Sequence, residues 1–171
     1  PCRLPSMSTI ADGIAVARPG DLPFAHVRTQ VHEVLTVSEA SLARAVLLLL
    51  ERARLVVEPA GAAAVAAMLD RRADIPTPAV AVLSGGNVDP LLLMNVIRSG
   101  LAGSGRYLSV KVRIPDRAGG LADLLGLIAG QGANLHEVTH ERVASQLGLG
   151  QVDVALQLET RGAEHSTQVL D

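Results

Sequence analysis

This 171-residue chain is predicted to hold an α/β part, a parallel sheet with helices, followed by a smaller α+β part. One observation is the order amphipathic helix, small-residue helix, apolar strand, glycine turn and helix between Ser38 and Ile97, the alternation of a helix-covered sheet. Another is the change of hydrophobic period from helical to two-residue after Gly100 to Gly105 (GLAGSG), which reads as a linker and sets expected boundaries at 1–102 and 103–171. Beyond it, strand, helix, strand, strand and helix make a ferredoxin-like unit lacking its last strand.

Ser38 to Leu55 is the clearest helix. Ser38 suits the N-cap and Glu39 the positive helix start, while Leu42, Ala45, Val46, Leu49 and Ala53 recur at helical spacing. Glu58-Pro59 opens a second helix, with Pro59 in the first turn, where its missing N–H costs nothing. Gly61 to Ala67 is almost all glycine and alanine, a face without bulk that another backbone or a ligand can approach. Val80 to Leu83 reads as a short buried parallel strand. After Ser84-Gly-Gly-Asn87, Asp89-Pro90 caps a third helix carrying Leu92, Leu93, Val96 and Ile97. In the second part Leu108, Val110, Val112 and Ile114 alternate as a strand; Asp116 to Gly120 turns; Leu121, Leu124, Leu125 and Ile128 form a helix stopped near Gly130 and Gly132. Strands are expected at about Asn134 to Val143 and Gln151 to Glu159, and a helix from Ala163.

Hydrophobic content of 49% with 19% charged residues marks a globular chain. A net charge of −2 with 1% aromatics excludes a nucleic-acid partner, which needs a basic footprint and usually stacking rings. The longest apolar run, Ala45 to Leu50, falls far short of the about 20 residues of a membrane span. Cys2 is the sole cysteine, which excludes an internal disulfide and suits a reducing, cytoplasmic compartment. Pro1-Cys-Arg-Leu-Pro5 has neither an initiator methionine nor a signal design, so the start is expected to come from the middle of a gene.

Four stretches carry the chemistry: Thr9-Ile-Ala-Asp-Gly13, Glu51-Arg52, Val57-Glu-Pro-Ala-Gly-Ala62 and Ser84-Gly-Gly-Asn87. Singly they are weak. A Ser-Gly-Gly turn after a strand is often only a tight connection, and this one is neither a P-loop nor a GxGxxG pattern. In this order the set resembles the fold-type II pyridoxal-phosphate enzymes of the threonine ammonia-lyase family, relatives of serine dehydratase and serine racemase. The resemblance covers Leu4 to Leu101, the C-terminal part of that family's catalytic domain. It implies pyridoxal 5'-phosphate as cofactor, a threonine or serine substrate, and conversion of L-threonine to 2-oxobutanoate and ammonia. It places Ser84 at the cofactor's pyridine nitrogen, beside Gly85, with Gly13 and Glu58 bordering the pocket. A neutral hydroxyl there leaves the ring a weaker electron sink, which favours β-elimination over transamination. Glu58 reads equally as a carboxylate at a helix start, and Asn87 as a turn-former.

The family tethers its cofactor on a lysine. Lys111 is the only lysine and lies in the second part, and no glycine-rich phosphate loop is present, so no catalytic residue is assigned. The chain alone is expected to be inactive. The rival expectation is a non-catalytic amino-acid-binding regulatory protein that keeps only the scaffold.

Asp116-Arg-Ala-Gly-Gly-Leu121 and Gly132-Ala-Asn-Leu135 resemble an ACT domain, a regulatory module that binds amino acids, with Ala118 where proline is usual. The resemblance implies effector contacts at Asp116, Gly119, Gly120, Leu121 and Asn134, isoleucine or valine as candidate effectors, and a homo-oligomer. The ligand carboxylate would meet unpaired N–H groups at the helix start after Gly120.

His136-Glu-Val-Thr-His140 matches the HExxH zinc pattern, which works only on a helix. On a strand four residues span roughly 13 Å, too far for two imidazoles to share a metal with bonds of about 2.1 Å. No metal site is expected, and both histidines are placed on one exposed face of the strand. His26, His32 and His165 receive no partner.

Overall fold

A computed structural model describes residues 2–142 and 150–171 of the chain. The chain divides into two compact units, Pro1–Gly100 and Leu101–Asp171.

In the first unit, a short 3₁₀ turn (Asp12–Ile14) precedes α1 (Asp21–Gln30), α2 (Glu39–Leu48), a π turn (Leu49–Ala53), α3 (Ala63–Asp70) and α4 (Pro90–Gly103), whose last turn enters the second unit. Ser38 caps α2 as expected, its Oγ accepting from Ser41 N at 3.1 Å. Leu42, Ala45, Val46 and Leu49 are buried, and Arg54 ends the π turn in the left-handed conformation at φ 60. The core joins these residues to Ala62 and Ala66 near and on α3 and Val96 on α4. Alanines, among them Ala43, Ala45, Ala60, Ala62 and Ala66, line much of it and let backbones approach closely between the larger Leu and Val side chains. Sequence periodicity gives no sign of α1, which buries none of its residues.

Three expectations change here. The helix after Glu58 is regular only from Ala63, although Ala62 N already donates to Glu58 O at 3.0 Å, so Pro59 lies in the turn leading into α3. Val80 to Leu83 forms no regular element; among the described residues it pairs with no strand, and Val80 is 90% exposed. An apolar run specifies a strand locally, whereas a ladder needs a neighbour. Gly100 to Gly105 is not a loose linker. α4 runs through Gly103, and Gly100 is buried because a Cβ there would stand 2.9 Å from Ala43 O. Its glycine serves packing. The helix then closes with Ser104 Oγ donating to Leu101 O at 2.9 Å.

The second unit is β1 (Tyr107–Pro115), α5 (Gly120–Gly130), β2 (Asn134–Glu141), β3 (Gln151–Glu159) and α6 (Ala163–Leu170). Its three-stranded sheet has the order β1-β3-β2, antiparallel on both sides of β3. Val143, the expected end of β2, lies outside the described residues. Beside partly buried Leu108, Val110, Val112 and Ile114 of β1, the β3 residues Val152, Val154, Leu156 and Leu158 are buried on the side of the sheet that carries α5 and α6. Each such side chain contributes roughly 1.5–3 kcal/mol by leaving water.

A bulge falls at His136, since Leu135 pairs with Leu158 but Glu137 with Gln157. It overturns the expectation that both histidines share a face. His140 opposes Val154 on the helix-covered side, whereas His136 lies 6.1 Å from the Tyr107 ring and 3.8 Å from Glu159, toward the open side. His165, for which sequence offered no partner, is buried. Its Nδ1 accepts from Arg161 N at 3.0 Å and its Nε2 donates to Gln131 O at 2.8 Å, fastening α6 to the end of α5.

On the open side Asp153 is only 5% exposed. Arg113 Nε reaches it at 2.8 Å and Lys111 Nζ at 3.2 Å, and Lys111 also meets Glu141 at 3.2 Å. The Arg113 hydrogen bond, with help from Lys111, holds the Asp153 carboxyl below its ordinary 3.8. A carboxyl depressed in the folded state adds stability above its unfolded value and loses it as pH falls through the folded one. Asp153→Asn should therefore lower the second unit's stability at neutral pH, and the gap to wild type should close below about pH 4 in acid titrations followed by circular dichroism.

Candidate functional site

The first site is assembled where two backbones touch. After Arg54 the chain runs out to Glu58, whose N–H donates to Gly85 O at 3.0 Å. On one side a Cβ at Gly61 would stand 2.9 Å from both the nitrogen and the oxygen of Gly85; on the other, a Cβ at Gly86 would stand 2.9 Å from Val56 O. Only glycine permits this approach. Ser84 is exposed at the head of the turn, where Gly85 and Gly86 carry no side chain to obstruct it.

The Glu58 side chain extends into the same place. A Cβ at Gly85 would lie 2.3 Å from Glu58 Oε1, and one at Gly13 would lie 3.2 Å from the same oxygen. The structure thus brings together Gly13, Glu58 and Gly85, with Ser84 next in chain. Asn87 lines a cleft of ≈ 400 Å³ with Asp12, Glu58, Pro59 and Asp89. Asp89 itself is the N-cap of α4, Oδ1 accepting from Leu91 N at 2.9 Å and Leu92 N at 3.0 Å.

Glu39 is a residue whose second role sequence reasoning missed. Besides sitting at the positive end of α2, its Oε2 accepts from Ile10 N at 2.9 Å and ties the Thr9–Gly13 loop to the helix. No local pattern reveals a contact across 29 residues.

In the second unit, Gly119 takes φ +82 before α5, and a Cβ at buried Gly120 would stand 3.0 Å from Pro115 O. Asp116, Gly119 and Leu121 line a cleft of ≈ 500 Å³ with His140 and Arg142. Arg142 Nε pairs with Asp116 at 3.3 Å. Asn134 stands apart, its Nδ2 3.4 Å from Glu159 at the opposite end of β2, roughly 23 Å away along the strand. Within one chain the predicted effector set therefore separates into the Asp116–Leu121 loop and Asn134. Sequence reasoning passed over Arg142, and it weighed His140 only as a zinc ligand.

A pyridoxal cofactor needs a nitrogen-side partner, an open ring face, an amine tether and a phosphate cradle. The Ser84 turn suits the first two. Lys111, the chain's only lysine, is engaged by Glu141 and Asp153 on the sheet of the second unit, and those bonds hold its amine charged by raising its pKa from 10.5. Among the described residues no group of three or more His, Cys, Asp or Glu side chains could hold a metal ion.

Residues 1–85 match the family described as pyridoxal-phosphate dependent enzyme. The chain is similar to two enzymes named L-threonine ammonia-lyase. It is 44% identical over 169 residues to that of Geobacter sulfurreducens and 42% identical over 168 residues to that of Thermotoga maritima, covering 98% of this chain and 42% of each relative. A solved threonine deaminase from T.th. superposes with a TM-score of 0.50 at 42% identity, over 51% of this chain and 32% of that one. The chain thus spans less than half the length of the curated relatives it matches.

Gly61→Ala should cost about 1–3 kcal/mol in the first unit, because the methyl meets backbone that cannot swing aside. A fall in its urea midpoint, with the second unit's transition unmoved, checks this.

Proposed function

We propose that this chain supplies the C-terminal part of the catalytic domain, and an amino-acid-sensing ACT-like unit, of a pyridoxal-phosphate-dependent L-threonine ammonia-lyase. What supports the reading is the meeting of Gly13, Glu58 and Gly85 around an exposed Ser84 in a chain 44% identical to such an enzyme. Pyridoxal phosphate, when bound, withdraws electrons from the amino acid so that the α-proton and β-hydroxyl can depart. In this reading the Ser84 hydroxyl meets the pyridine nitrogen without a negative charge, which suits elimination. Gly85 and Gly86 leave the ring room, and Gly13 and Glu58 border the pocket. The amine that takes up the α-proton comes from outside this chain, because Lys111 is committed to Asp153 and Glu141.

The Asp116–Leu121 loop carries the regulatory half of the proposal. The start of α5 after Gly120 offers N–H groups to an amino acid carboxylate, and its positive end favours that charge. Isoleucine or valine is the effector class, and a homo-oligomer in the cytoplasm the working state. No helix among the described residues is long and apolar enough to cross a membrane.

The recombinant 171-residue chain mixed with pyridoxal phosphate should give no absorbance band of a lysine-bound cofactor and no keto acid from threonine. Either signal would refute the role given to Lys111. In the enzyme that joins this chain to a lysine-bearing segment, Ser84→Ala should lower kcat on the order of 10²-fold with the fold intact. Unchanged kinetics would remove Ser84 from the site. Faster turnover of serine than threonine would move the assignment to the serine dehydratases, and an assembled enzyme that binds amino acids without turnover would leave the regulatory protein.

A further inference from the structure

We infer that the Glu58 carboxylate is a positioning residue: a wedge between two glycine backbones that fixes how the Asp12–Ile14 turn and the Ser84-Gly85 turn approach each other. The inference rests on the reading of the Ser84 turn as a cofactor floor and gives a task to a group that reading only places at the border. Two positions far apart in sequence carry it. A Cβ on Gly85 would fall 2.3 Å from Glu58 Oε1 and 2.6 Å from Cδ, and one on Gly13 would fall 3.2 Å from that same oxygen. The carboxylate therefore fills the volume both side chains would need. One oxygen packs against both turns.

The carboxylate's place is set by main chain. Glu58 N–H is fastened to Gly85 O at 3.0 Å, and Pro59 after it is fully buried. Among the described residues no hydrogen bond or ion pair holds the carboxylate group itself. A group without an ionic partner acts through shape, so its amide isostere should substitute for it and a shorter acid should not. Behind Gly85 the Gly61 backbone leaves no retreat, since a Cβ there would already be 2.9 Å from Gly85 N and O. The turn is clamped between Glu58 and Gly61, with Ser84 one residue away.

The test is residue-resolved hydrogen exchange on the 171-residue chain, with amides of the second unit as internal reference. Glu58→Ala and Glu58→Asp should each speed exchange about tenfold or more at the amides of Ile14, Ala15 and position 58. Glu58→Gln should leave exchange as in wild type. Gly85→Ala should reproduce the acceleration by expelling the carboxylate, and the Glu58→Ala/Gly85→Ala double variant should recover part of it, because the methyl then fills the vacated space. Wild-type protection in Glu58→Asp, or additive effects in the double variant, would overturn the wedge, and the Asp variant decides even if the Ala variant fails to fold. This readout needs neither cofactor nor turnover. In the enzyme containing this chain, Glu58→Ala should weaken pyridoxal-phosphate binding about tenfold and Glu58→Gln should not; fast exchange with unaltered cofactor binding would overturn the floor assignment of the Ser84 turn instead.

Discussion

Backbone lying on backbone, where residues 56–61 meet 84–86, is the constraint from which the first unit's candidate site follows. Three glycines make the contact available: Gly61 against Gly85, Gly86 against Val56 O, and Gly85 itself against Glu58. Such an approach is rigid because neither partner has rotamers to adjust. It fixes the main chain beside Ser84, with the Glu58 side chain packed against Gly85 from the other side. The small-residue core behind it continues the same economy, with Ala45, Ala62 and Ala66 fully enclosed. Bulk there would separate the segments that the glycines bring together.

The second unit is organised around β3. Paired on both edges and carrying four buried aliphatic side chains on one side, it is the strand the sheet cannot lose. Its other side holds a buried acid, Asp153, covered by Arg113 and Lys111. Arg113 holds the acid in two hydrogen bonds, at 2.8 and 3.2 Å, a geometry that gives direction as well as attraction. The sole lysine of the chain is thus a structural cation.

What the sequence made legible was local. Ser38 with Glu39, Asp89 with Pro90, and the alternation Leu108, Val110, Val112, Ile114 each encode an element within a few residues, and each element is observed. Elements that depend on distant partners were harder to read. Gly100 looked like a flexible spacer because nothing nearby shows that Ala43 O lies 2.9 Å from its missing Cβ. Val80 to Leu83 signalled a strand, but pairing belongs to the neighbour and not to the run. At the site the residue types pointed to Ser84, Gly13 and Glu58, and their meeting is seen only in three dimensions. Glu39 holding Ile10 and Arg142 holding Asp116 leave no trace in spacing at all.

The extra residue in β2 has a consequence for reading motifs. Two histidines four apart on a regular strand project the same way, yet the insertion at His136 turns one imidazole toward Tyr107 and leaves the other beside the Asp116 loop. A text match counts letters; chemistry depends on which side of the peptide plane each ring leaves. A one-residue irregularity therefore splits between two faces a pair that periodicity alone would have kept on one, and it delivers His140 to the rim of a different cleft.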